Sequence, residues 1–383
     1  MKKLILSLIV LTSLTITNCS KSEDKNTPMQ ENPNDPYKEA PNTPPMENPY
    51  HREPPITSAD FTLSEDGKTL VRWNNTTRTT LDMKAHPLLS QVTTIGTWAF
   101  EDRNSLKTIV FPETLTTIMG GAFSKTGLTS VIIPETVTSI GNYAFSNCNS
   151  LTSVSIPKTV TDLGDWIFEN CGNLEEVTYG PKTLKASLFN NCTSLRKVIL
   201  LEGVTTIGTW AFENRKALKE IHFSSTVTTI NANAFSGSGL STITIPETIT
   251  TIGASAFSNC KSLTSASIPK SVISLGDWVF ENCENLEEVT FGPKTLKNAL
   301  FSGCTNLKNV TLLEKITTIG PWAFENRTNF TTLTIKATTP PSIGEITFKN
   351  TALTHIYVPA ASVDSYKNDR KWGVFADKIQ AIP

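Results

Sequence analysis

Leu151-Thr152-Ser153-Val154-Ser155-Ile156-Pro157-Lys158-Thr159-Val160-Thr161-Asp162-Leu163-Gly164-Asp165-Trp166-Ile167-Phe168-Glu169-Asn170-Cys171 is the stretch whose reading decides the fold. Its first part, Leu-x-x-Val-x-Ile, ends in the alternation of a half-buried strand. Pro157 has no N–H to give to a ladder, so the strand stops there. Gly164 opens a turn, and Leu163, Ile167 and Phe168 return apolar side chains to the same core from the opposite wall. Such a unit carries about seven apolar side chains and has nothing of its own to bury them against.

The unit recurs along the chain. A closing Phe stands at Phe100, Phe123, Phe145, Phe168, Phe189, Phe212, Phe235, Phe257, Phe280, Phe301, Phe324 and Phe348, at spacings of 21 to 24 residues. Stacking twelve such units along an axis makes one continuous core, so the repeat predicts a mainly β solenoid. A longer period lies on top. Phe100, Phe212 and Phe324 are 112 residues apart, as are Trp166 and Trp278, so five units were copied as a block.

The pattern Leu-x-x-Val-x-Ile-Pro-x-x-Val-Thr-x-Ile-Gly-x-x-Ala-Phe-x-x-Cys is clearest from Leu128 to Cys148 and resembles the BspA-like leucine-rich-repeat proteins, the treponemal repeat type. The resemblance covers residues 92–359. It implies a right-handed leucine-rich-repeat superhelix of about twelve coils of 21–24 residues with a parallel sheet. Functionally it implies a bacterial surface protein that adheres to host or partner-cell macromolecules.

The flanks carry their own signals. Lys2 and Lys3 precede an apolar run, Leu4 to Ile16, which suits a signal peptide and is shorter than the ~20 residues that span a bilayer. The run leads into Cys19 in a setting that resembles a bacterial lipobox, so residues 1–18 are expected to be a lipoprotein signal peptide and Cys19 the lipidated residue. Residues 19–55 are rich in Pro, Asn, Glu and Lys and predict an extended tether. Together these predict a lipid-anchored protein of a Gram-negative outer membrane, displayed at the cell surface and touching the membrane through its lipid alone. Residues 56–91 read as an N-terminal cap with an Asp66-Gly67 hairpin turn. Residues 360–383 read as a C-terminal cap with a short helix, Val363, Tyr366 and Trp372 facing the last strand. Capped ends predict a monomer.

Little chemistry is on offer. With 34 Lys+Arg against 35 Asp+Glu the net charge is -1, which favours neither nucleic acid nor an anionic membrane face. The four His are scattered, and no catalytic set, metal chelate or cofactor motif can be assembled, so no enzyme, metal or cofactor is expected. Cys148, Cys171, Cys192, Cys260, Cys283 and Cys304 fall one per coil without a Cys-x-x-Cys chelate, and read as buried thiols at a tight turn. Gly67-Lys68-Thr69 is the tail of a phosphate-loop motif without its head. Five aligned tryptophans, Trp98, Trp166, Trp210, Trp278 and Trp322, are open to two readings, packing between coils or stacking on carbohydrate. Their place beside the core Phe favours packing.

The outward positions of the strand face hold the expected ligand-binding residues. They are Ser155, Thr178, Ile199, His222 and Thr244 along the centre, with Glu175, Glu176, Arg196, Glu287 and Glu288 flanking. The function expected is a surface-displayed binding or adhesion module that recognises a protein or glycan there. The alternative is a non-enzymatic accessory or glycan-binding lipoprotein of an outer-membrane uptake system.

Overall fold

A computed structural model describes residues 53–383. The predicted signal peptide, Cys19 and nearly all of the tether lie outside them. Each typical coil contributes one strand of three or four residues, such as Ser153–Ile156, and one of two residues, such as Asp162–Leu163. Ser153–Ile156 pairs in parallel with Glu176–Tyr179, which pairs in parallel with Lys197–Leu200. The two-residue strands stack in the same way, Thr94–Ile95 on Thr117–Ile118, Ser139–Ile140 and Asp162–Leu163. The chain therefore winds into a solenoid with two parallel-stranded walls. Period-two alternation sorts the long strands: Val154 and Ile156 are buried, while Ser153 and Ser155 stay partly in water.

Between the walls runs the phenylalanine column. Neighbouring rings stack at centroid distances from 4.8 Å for Phe100 and Phe123 to 6.3 Å for Phe189 and Phe212. Trp73 continues the column at one end, 5.8 Å from Phe100, and Trp372 closes it at the other, 5.9 Å from Phe348. Both cap tryptophans are fully buried.

The Asn-Cys pairs that follow the phenylalanines have a shared reason. Asn147, Asn170 and Asn191 adopt left-handed φ values of 58° to 59°, which Asn tolerates better than most residues. Their amides form a ladder, Asn170 donating to Asn147 at 3.1 Å and Asn191 to Asn170 at 2.8 Å. The six cysteines are buried free thiols. Each donates to the carbonyl of a Phe in a neighbouring coil, as Cys148 does to Phe123 at 3.1 Å and Cys192 to Phe168 at 3.2 Å.

The caps do more than cover. Phe61–Leu63 and Thr69–Trp73 form the expected antiparallel hairpin around Gly67. Thr69–Trp73 also pairs in parallel with Thr94–Ile95, and Thr80–Asp82 with Thr108–Val110, so this cap is itself a coil. At the other end a helix, Val363–Lys367, buries Tyr366, whose hydroxyl donates to Ala337 O at 2.9 Å. Trp372 Nε1 donates to Pro341 O at 2.7 Å. The chain then adds a strand, Ile379–Ala381, parallel to His355–Val358. The solenoid has about fourteen turns where the repeat count predicts twelve. The difference comes from the caps, whose strands pair like the repeats without their consensus residues.

Candidate ligand-binding surfaces

The long-strand wall presents its outward residues as expected. Ser155, Glu175, Glu176, Thr178, Ile199 and Glu287 are partly exposed, and Arg196, His222, Thr244 and Glu288 are exposed. Two shallow grooves run across this wall. The first, of about 250 Å³, is lined by Ser153, Ser155, Glu176 and Thr178, with Ile132, Lys197 and Ile199 at its sides. The second, of about 340 Å³, is lined by Ser265, Ser267, Glu288 and Thr290, with Thr244, Asn309 and Thr311. Each of these seven residues of the second groove lies 112 positions after its counterpart in the first, so the copied block duplicated a concavity as well as a core. Across five coils at ~4.8 Å per coil the grooves are ~24 Å apart. They share hydroxyls and a carboxylate and differ at their sides, where Ile132, Lys197 and Ile199 give way to Thr244, Asn309 and Thr311.

The flanking charges are internally paired. Arg196 Nε lies 2.9 Å from Glu175 Oε2, and another of its nitrogens 2.8 Å from Glu176 Oε1. The hydrogen bond that Arg196 donates to Glu175, with the charges of both carboxylates, raises the Arg196 pKa. Lys308 sits 3.0 Å from Glu287, and Asn309 donates to Glu288 at 3.2 Å. His222, beside Ile199 in the next strand, has Nε2 3.5 Å from Glu220 Oε2. The wall therefore offers short-range hydrogen bonding with little net field. Among the described residues no cluster of three or more His, Cys, Asp or Glu is arranged to hold a metal. No helix among them is long and apolar enough to cross a membrane.

The five tryptophans depart from the expectation of simple packing. Trp98, Trp166, Trp210, Trp278 and Trp322 are between 39 and 52 % exposed. Each has a left-handed backbone, φ 54° to 62°, which turns the side chain out of the wall. For a bulky L-residue that conformation costs about 1–2 kcal/mol. The same position in other coils holds Gly121, Asn233, Ser255 and Ala299, all at positive φ, so the fold does not require tryptophan there. Packing accounts for part of each ring's environment. Trp98 rests against Gly121 of the next coil, and Trp166 stacks on Tyr143 with centroids 5.4 Å apart and planes 10° from parallel. Sequence reasoning found the alignment but missed the exposure, because adjacency to a core Phe suggests burial whereas the left-handed turn between them reverses direction.

A profile of the BspA type leucine rich repeat region matches in six copies, over residues 78–196, 182–298 and 292–369. No curated protein matches the chain. Among solved structures the chain is similar to a leucine-rich repeat protein from Bacteroides ovatus, with 26% identity, 82% of this chain and 88% of that one covered, and a TM-score of 0.57. It is also similar to a leucine-rich repeat protein from Eubacterium ventriosum, with 26% identity, 69% and 76% coverage and a TM-score of 0.41. The profile match extends beyond both ends of the predicted repeat, as the coil-like pairing of the caps does. With the stacked parallel coils, the phenylalanine column and a profile match spanning well over half its length, the chain belongs to the BspA-type leucine-rich repeat family.

Proposed function

We propose that this protein is a non-enzymatic binding module, displayed at the bacterial surface, that docks a macromolecular ligand on its long-strand wall. The observation that carries the reading is the duplicated groove, a polar concavity with the same hydroxyls and carboxylate in two places. A ligand with two equivalent features gains from such a pair through effective concentration, without any new contact. Twelve strands at ~4.8 Å with a width of ~10 Å offer ~550 Å², which adjoining loops extend toward the ~800 Å² that each partner buries in a standard interface.

The tether supports display. With lipidation at Cys19 and the Pro-rich residues 19–55 as a spacer, the solenoid would be anchored at an outer membrane. Caps at both ends support a monomer, because Trp73 and Trp372 are fully buried and close the ends of the core that would otherwise recruit a second copy. The test is interferometry of residues 20–383 against host extracellular-matrix proteins and polysaccharides. Saturable binding whose affinity falls by about tenfold or more when either groove is filled, by Ser155→Trp or by Ser267→Trp, supports the reading. Absence of binding to every class overturns it.

A further inference from the structure

Every tryptophan on the outer ridge is followed three residues later by a glutamate. The pairs are Trp98 with Glu101, Trp166 with Glu169, Trp210 with Glu213, Trp278 with Glu281 and Trp322 with Glu325. In the seven coils without tryptophan the same position is Ser124, Ser146, Asn190, Ser236, Ser258, Ser302 or Lys349, and never an acid. The glutamate N–H donates to the tryptophan carbonyl in each pair, at 3.0 to 3.3 Å, so one tight turn sets both side chains. All five glutamates are partly exposed. An exposed aromatic ring and a carboxylate thus recur as a unit, in a left-handed conformation that other coils fill with Gly121, Asn233, Ser255, Ala299 or, once, the aromatic Tyr143.

From this we infer that the ridge is a binding site for a linear, uncharged polysaccharide, separate from the long-strand wall. The apolar C–H face of a pyranose packs on an indole, and its hydroxyls donate to carboxylates. The repeat geometry argues for a polymer. In order along the axis the tryptophans are three, two, three and two coils apart, or ~14 and ~10 Å alternately at ~4.8 Å per coil. An extended pyranose chain advances by about one coil spacing per sugar, so it can meet ring after ring in the same orientation, which a folded protein cannot. Smaller side chains, Gly121, Ser187, Asn233, Ser255 and Ala299, separate the rings, and Tyr143 adds a sixth aromatic against Trp166. Glu101 pairs with Lys125 at 3.5 Å and Glu325 with Lys349 at 3.8 Å, and the carboxylates of Glu169, Glu213 and Glu281 between them disfavour a polyanion, so uronate-rich chains and nucleic acid do not fit.

The test is affinity electrophoresis of residues 20–383 through gels containing mixed-linkage β-glucan, arabinoxylan, glucomannan or, as the polyanion, polygalacturonate. Retardation is expected in at least one of the three neutral gels and none in polygalacturonate. Trp166→Ala with Trp210→Ala should weaken the retardation about tenfold or more. Glu169→Gln with Glu213→Gln should weaken it less, and Trp166→Tyr with Trp210→Tyr should keep most of it. A single cooperative thermal transition near that of the wild type in each variant shows that the solenoid is intact. Ile199→Asp with His222→Asp, on the other wall, should leave retardation unchanged, which separates this site from the groove-bearing one. Passage of the wild type through all three neutral gels, retardation by polygalacturonate alone, or unaltered retardation of the Trp→Ala variant would each overturn the inference.

Discussion

The indole of Trp98 occupies the space that a side chain on Gly121, one coil on, would need: a Cβ added there collides with Cε3, Cζ3 and Cδ2 of the ring. Gly121 also has φ 63°. Gly121→Ala should therefore cost about 1–2 kcal/mol from the left-handed backbone alone, and more with Trp98 present than in a Trp98→Ala background. A double-mutant cycle by thermal melting measures that coupling. Additive losses would mean that the ring does not rest on the glycine.

The phenylalanine column makes a second prediction. Phe212 is fully buried, with rings 6.3 Å away at Phe189 and 5.3 Å away at Phe235. Phe212→Ala should cost about 3–5 kcal/mol. Because each coil touches only its neighbours, the melt should also broaden or split. Calorimetry showing a wild-type transition in the variant would sink the stacked-core account.

Much of this was legible in the sequence. The Leu-x-x-Val-x-Ile strand, the turn at Gly164 and the twelve phenylalanines specify the coil, because a period near 22 residues leaves one way to bury their side chains. The caps were legible only in part. The hairpin around Gly67 and the helix near Tyr366 have local signals, whereas Thr80–Asp82 and Ile379–Ala381 each bury one apolar side chain, Leu81 or Ile379, too little to mark a coil. Among site residues, the outward phase of Ser155, Thr178 and Ile199 follows from strand alternation. The grooves do not, since wall curvature is a property of the stack and no single coil encodes it. The exposure of Trp166 was hidden for another reason: its left-handed φ of 54° is unusual for a bulky residue, so no propensity argument anticipates it.

The thiols give a prediction about pH. Burial pushes Cys192 and Cys304 up to about 12, from an ordinary value of 9.0. A group whose pKa is raised by folding stabilises the fold fully below its unfolded value, and that contribution is lost as pH climbs toward the folded one. Stability should fall between pH 9 and pH 12, and less steeply for Cys192→Ala with Cys304→Ala. Urea titrations at stepped pH check the slope; equal slopes would show that these thiols do not titrate with unfolding.

The proposed lipid anchor is Cys19, so on that proposal Cys19→Ala should release the protein from the membrane fraction and abolish its labelling by palmitate. Retention of the variant in that fraction would count against the tether.

The most direct test of the proposed binding function is Ile199→Asp with His222→Asp. Both side chains face water on the long-strand wall, in adjacent strands beside the first groove. Interferometry of this variant against a matrix protein that binds the wild type should show binding lost, with an unchanged melting temperature, while Trp166→Ala with Trp210→Ala binds that protein as before. Binding retained by the first variant and lost by the second would contradict the account and move the protein-binding surface to the tryptophan ridge.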